Sequence, residues 1–290
     1  MKNNRPRRVA LKERAMRAVF LAAACVCMLA VALITLFLLA NGLPAFGKIG
    51  ALKFLTGTLW RPGNDIYGVA PMILGSLYVT AGAVALGAPV GVLTGVYLAR
   101  FCPRRARGTL RQAVNLLSGI PSVVYGFFGL VALAPTISRV FGGSGRNMLT
   151  ASLLLGLMIL PTVISVTETS VSAVPDSCYQ GALALGATHE RAVFSAVLPA
   201  ARSGVTTGIA LGVARAIGEA TAVVMVAGNQ PAMPSGLLRG LRTLTANIVL
   251  EMGYAADLHK GALAATAVTL FVFTLGVNVL LSLGRGRRRV

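Results

Sequence analysis

Six stretches of this chain are long and apolar enough to cross a membrane, and that constrains the fold more than any single residue does. They cover residues 18–40, 71–99, 114–134, 148–166, 205–227 and 262–283. A helix rises about 1.5 Å per residue, so roughly twenty apolar residues span the hydrocarbon. Within lipid, each backbone N–H and C=O needs a partner in its own segment, and a helix supplies one. Of the 290 residues, 56% are hydrophobic and only 12% are charged, too few to cover a water-soluble surface of this size. The sequence predicts an all-α polytopic membrane protein with six transmembrane helices. The first stretch is too long for the apolar core of a secretion signal, and no small-residue cleavage site follows it, so it reads as a retained anchor.

Lys and Arg outnumber Asp and Glu by 27 to 8. The charges flank the apolar stretches, and no aromatic residues interleave with them as they do in nucleic-acid binders. The partner they imply is therefore a phospholipid membrane and not nucleic acid. Both tails and one set of loops carry eighteen of the cations, the other loops carry eight, and Arg215 lies inside the fifth stretch. The positive-inside rule then puts both termini in the cytoplasm. The layout that follows is a basic tail over 1–17, a first span over 18–40 and an external loop over 41–70. A core over 71–283 holds the other five spans and a cytoplasmic loop over 167–204, and a second basic tail covers 284–290. In the external loop Trp60 is predicted as an interfacial anchor, and residues 237–252 as a short amphipathic helix on the same face.

Several chemistries are excluded. Cys25 and Cys27 are two apart and point different ways on a helix. His189 and His259 stand alone on opposite sides of the membrane, so no metal-ligand spacing exists. The eight acids are scattered, with no Ser–His or Cys–His pairing, which predicts no catalytic residue, no metal and no cofactor. Residues 42–49, GLPAFGKI, approach a phosphate-binding loop. They lack the final Ser or Thr, carry Pro44 and follow a span instead of a strand. Any ATP hydrolysis must come from another protein.

Two features carry function. The fifth stretch holds Arg215 near its middle and Glu219 four residues on, so a continuous helix would put them on one face. Gly204, Gly208, Gly212, Ala216 and Ala220 form a small-residue series that lets helices approach closely. A lone mid-membrane Arg costs roughly 2.5–3.5 kcal/mol, so such residues tend to mark a pathway, and a guanidinium suits an oxyanion. In the third stretch Pro121 predicts a kink beside Ser122 and Tyr125, which are candidates to line the pathway. The second feature is the segment 180–199 in the cytoplasmic loop. Residues 177–186 read as a short helix with Asp176 or Ser177 as its N-cap, and Gly186 suits a positive-φ turn at its end.

That segment resembles the EAA loop of ABC-importer permeases, matching at Ala182, Gly186, Leu198 and Pro199. It departs at Gln180, where the usual residue is Glu, and at Gly181 and Ala196. A wider resemblance, to the PstC-type permease subunit of the phosphate ABC importer, rests on residues 54–60, 119–126, 215–219, 225–229 and 243–246. The Arg-x-x-x-Glu pair and the following Gly228-Asn229 are its most specific parts. The resemblance implies a type I importer permease in the inner membrane, passing inorganic phosphate, with Arg215, Glu219, Ser122 and Tyr125 on the pathway. Gln180, Ala182, Leu185, Gly186, Ala187, Leu198 and Pro199 would then form the ATPase-coupling loop. The implied partners are a PstA-type permease, PstB-type ATPase subunits and a phosphate-binding protein. The alternatives are a permease for sulfate or molybdate, the PstA-type partner itself, a passive channel and a membrane enzyme.

Overall fold

The computed structural model describes residues 5–286, so Lys2 and Arg287, Arg288 and Arg289 of the two basic tails lie outside the described residues. Helix α1 (Arg5–Ile49) continues through Pro44, so residues 41–49 extend the first span instead of opening the outer loop. Lys48 thus sits in the last turn of a helix, and no phosphate-binding loop forms around it. Helix α2 (Ala51–Thr56) and a hairpin of β1 (Trp60–Arg61) and β2 (Ile66–Tyr67) lead to α3 (Ala70–Val96). Then come α4 (Arg104–Gly119), α5 (Ser122–Phe128), α6 (Ala134–Phe141) and α7 (Met148–Ser172). Three short helices, α8 (Asp176–Ala184), α9 (His189–Ala192) and α10 (Leu198–Ala200), precede α11 (Arg202–Gly218) and α12 (Thr221–Val226). Helices α13 (Leu244–Glu251) and α14 (Asp257–Gly286) end the chain.

Five helical runs are long and apolar enough to span a membrane: Lys12–Ile49, Ala70–Phe101, Ser122–Phe141, Met148–Ser172 and Asp257–Leu280. The sixth is a pair, His189–Ala200 and Arg202–Gly218, bent by 70°. Two sequence boundaries move as a result. The third span begins at Ser122, not at 114, because Ile120 and Pro121 are extended, with ψ of 126° and 144°. Proline lacks the N–H needed to continue a helix and disfavours helical geometry in the residue before it. The residues from 114 to 119 close the separate amphipathic helix α4. The fifth span does not run to 227 as one helix, since it breaks at Glu219, whose ψ is 121°.

Helix α7 is the centre of the bundle, flanked by parallel α3 and antiparallel α11. Gly82, Gly87, Gly91 and Gly95 of α3 press on α7, and a Cβ at any of them would fall 2.5–2.8 Å from its atoms. On the other flank Gly204, Gly208 and Gly212 meet Ser170, Val166 and Val163. Where lipid is as apolar as the side chains, such close backbone approach is what holds helices together. The series read in 204–220 serves this purpose as far as the buried Ala216, whereas Ala220 falls in the break. Helix α1 touches the bundle through its last turns, where Gly42 lies against Ala264 and Val268 of α14.

Candidate functional site

The segment read as an ATPase-coupling loop lies at the end of the bundle where α7 stops. Helix α8 starts one residue before the predicted range, with Pro175 at the N-cap, and neither Asp176 nor Ser177 caps it. Proline fits because its fixed φ leads into a helix and its missing N–H would have had no partner there. Asp176 instead occupies the first turn and accepts Arg100 at 3.1 Å. Gly186 has φ +84°, as its place after the helix requires, with Gly186 N–H donating to Leu183 and Ala187 N–H to Ala182. These two bonds satisfy the last carbonyls of α8 in the pattern usual for a glycine-terminated helix. The turn leaves Leu185 projecting, 91% exposed, with Gln180 exposed on the same helix and Ala182 and Ala187 half-covered. Pro199 is exposed and Leu198 packs against the cluster around Val193 and Val197, so both lie just before the 70° bend.

This end is braced from below. The Tyr179 hydroxyl and His189 Nδ1 are 2.7 Å apart, and Phe101 packs edge-on to the imidazole at 4.7 Å. His189 is therefore not isolated. Glu168, only 2% exposed at the end of α7, accepts Arg107 at 3.0 Å and faces Arg111 at 3.5 Å, tying α4 to the same end.

Arg215 and Glu219 do not pair. The break turns the Glu219 side chain onto α12, where its carboxylate accepts the Ala222 N–H at 3.1 Å, while its carbonyl accepts the Thr245 hydroxyl at 3.0 Å. Arg215 stays half-buried in the last turn of α11. Among the described residues no carboxylate lies within ion-pair distance of it, and none hydrogen-bonds to its guanidinium. Tyr125 is buried and its hydroxyl donates to the Leu117 carbonyl at 2.8 Å, bridging the break at Pro121. Ser122 opens α5, half-buried.

The opposite end holds a polar network that sequence reading missed. Trp60 is only 4% exposed, so it is not an interfacial anchor, and its indole donates to Glu251 at 2.8 Å. His259 donates to the same carboxylate oxygen at 2.8 Å, and Arg242 to the other one. Arg242 also donates to the Asn229 carbonyl and to Asn247, each at 3.0 Å. Tyr67 stacks on His259 and donates to Asp65 at 3.2 Å, and burial first, then that bond, push its phenol up to about 12. The helix predicted over 237–252 is confined to α13, and residues 227–243 carry these contacts without regular structure. The partners lie up to 191 positions apart, with no local spacing to reveal them.

A family model described as the binding-protein-dependent transport system inner membrane component matches residues 91–289. A probable ABC transporter permease protein, YqgH of Bacillus subtilis, is 35% identical over 264 residues, covering 89% of this chain and 85% of the relative. A phosphate transport system permease protein PstC of Mesorhizobium japonicum is 32% identical over 92% of this chain and 88% of that one. The chain is a PstC-type permease. It belongs with the inner-membrane components of binding-protein-dependent transport systems. Among solved structures, a bacterial alginate ABC transporter aligns with TM-score 0.61 at 14% identity, over 94% of each chain. An inward-facing methionine ABC transporter aligns with TM-score 0.57 at 17% identity, covering 78% of this chain and 99% of that one. This PstC-type chain therefore has the type I importer permease fold. It is a multi-pass inner-membrane protein, a transport subunit that works with other ABC subunits.

Proposed function

We propose that the chain is one membrane half of an ATP-driven importer of inorganic phosphate. Both termini and the α8–α10 segment face the cytoplasm, where eighteen of its cations lie. A PstA-type permease completes the pore, PstB-type subunits hydrolyse ATP, and a phosphate-binding protein delivers substrate to the opposite end. The observation that carries this reading is Arg215, a cation within a span that has no anionic partner among the described residues. Such a charge favours a passing oxyanion, which a guanidinium can hold through two parallel hydrogen bonds and release when the helices rock. Glu219 acts differently from an ion-pair partner. By capping α12 it keeps the break open beside Arg215, and Ser122 and Tyr125 face the same region from α5.

Drive comes through Leu185. A leucine this exposed at the tip of a rigid, glycine-capped helix suits a pocket on an ATPase surface, so docking relies on shape and apolar contact, with Gln180 offering an amide where a carboxylate is usual. The test is phosphate uptake by proteoliposomes of the assembled complex. Arg215→Ala is expected to abolish uptake while ATPase subunits still co-purify, and Leu185→Ser to lose the ATPase while the permease pair stays intact. Wild-type uptake by Arg215→Ala would remove this residue from the pathway.

A further inference from the structure

The pair Gly228-Asn229 stands out in the sequence, and neither the coupling nor Arg215 accounts for it. It lines a cavity of about 230 Å³ together with Ser144, Arg146, Val224 and Gln230. The cavity lies at the start of α7, and the coupling segment at its end, 25 residues and about 37 Å away. Two loops build it. Gly228 has φ +81°, and a Cβ there would fall 2.7 Å from the Arg146 carbonyl, so only glycine lets the loops touch. Met148 and Leu149 donate to the Arg239 and Leu237 carbonyls, Leu241 donates to Ala227, and Arg242 holds the Asn229 carbonyl.

We propose that this cavity is a second anion site, one that takes a protonated tetrahedral oxyanion and passes it toward Arg215. The inference rests on the phosphate-import reading and adds a place where phosphate is told from sulfate. Arg146 supplies the charge: among the described residues no carboxylate lies within ion-pair distance of it. Ser144 donates to the Arg146 carbonyl only at 3.4 Å, a long bond that a ligand oxygen replaces readily. Gln230 lies over Gly240 and adds an amide.

The selective element is Asn229. Its Nδ2 donates to the Val224 carbonyl at 2.7 Å. Only the N–H₂ can face a carbonyl, so the amide orientation is fixed and Oδ1 points away from Val224. That oxygen is buried and has no hydrogen-bond partner. A buried acceptor left unmatched beside a cationic cavity calls for a ligand that brings both negative charge and an O–H. Both forms of inorganic phosphate at neutral pH keep at least one P–OH. Sulfate keeps none, and neither does the phosphodiester of a lipid headgroup. The six-residue α12, about 9 Å long, leads from Glu219 to the cavity wall at Val224 and Gly228.

The experiment uses the complete transporter in nanodiscs, without binding protein, and measures equilibrium binding of radiolabelled inorganic phosphate, with sulfate and glycerophosphocholine as competitors. All variants carry Arg215→Ala, so that binding at the other site does not contribute. The expected result is weak phosphate binding that glycerophosphocholine fails to displace and sulfate displaces poorly. Arg146→Ala weakens it by roughly ten- to a hundredfold, as for a lost charged hydrogen bond. Asn229→Gly, which keeps the positive φ of +53°, leaves an anion site in which phosphate and sulfate compete equally. Co-purification of both permease halves and the ATPase subunits verifies assembly of each variant. Phosphate binding unchanged by Arg146→Ala, or a phosphate preference unchanged by Asn229→Gly, overturns the inference, and so does displacement by glycerophosphocholine. If otherwise wild-type transporter supports no phosphate uptake with any oxyanion-loaded binding protein, the import reading itself fails. Normal uptake with unaltered variants removes only this site.

Discussion

The end of the bundle that carries α8 and the end that carries the β1–β2 hairpin treat their large side chains in opposite ways. At the first, Leu185 stands in the open at 91% exposure and the Asp176 partner of Arg100 is itself 81% exposed. Exposed ion pairs of that kind contribute little, typically under ~1 kcal/mol, so local helix capping holds α8 in shape. At the second, Phe54 and Met72 are fully covered, and Trp60, Glu251 and His259 form a closed polar knot above them. One end offers a small rigid shape to a partner. The other locks loops from four regions of the chain into a platform.

The largest expected effect of a single change is at the platform. Glu251→Ala leaves Arg242 without its carboxylate in a region where it is mostly covered, and loss of one partner from such a pair costs about 3–5 kcal/mol. The thermal midpoint of the purified protein is expected to fall by several degrees, with new protease cleavage in residues 50–70. A wild-type midpoint would show that the knot does not hold the platform. At the coupling end, Gly186→Val forces a β-branched residue to φ +84°, at about 1–3 kcal/mol of local strain. ATPase co-purification is expected to fall sharply while the thermal midpoint moves far less than in Glu251→Ala. Equal midpoint losses in the two variants would erase the contrast between the ends.

The smallest effect is visible only at high pH. The folded protein holds the Tyr67 proton more tightly, its phenol being raised from 10 to about 12. A raised value stabilises the fold fully below pH 10, and that contribution disappears as pH climbs through 12. Tyr67→Phe is therefore expected to match wild type at neutral pH and to lose less stability between pH 10 and 12. If both proteins decline in parallel over that interval, the hydroxyl does not contribute to the platform in this way.

Much of the local structure at the α8 end was legible in the sequence because its information is local. Gly186 after a helix-compatible run predicts a positive φ, and φ is +84°. The N-cap moved to Pro175 because Asp176 sits in the first turn, where its carboxylate favours the helix N-terminus and accepts Arg100. The spacing of Arg215 and Glu219 implied a pair only if the helix continued, and it ends at Gly218. Gly218, with no side chain to favour a helix, and a carboxylate able to cap the next one, made a break stable instead. Nothing local announced the Trp60–Glu251–His259 knot. Its members read separately as an anchor, a scattered acid and an isolated histidine.

The sequence by itself determined that the chain is a polytopic helical membrane protein, how its positive charge is divided among tails and loops, and that a glycine-capped helix follows the fourth span. Hydrophobic length, charge asymmetry and backbone restriction are properties of neighbouring residues, so a linear reading captures them. Only the tertiary structure decided where the third and fifth spans break, which cation stays unpaired within the bundle, and how residues from opposite ends of the chain close around Glu251. Those outcomes depend on which groups meet when helices pack, and burial favours arrangements in which most buried polar atoms find a partner wherever the chain brings one.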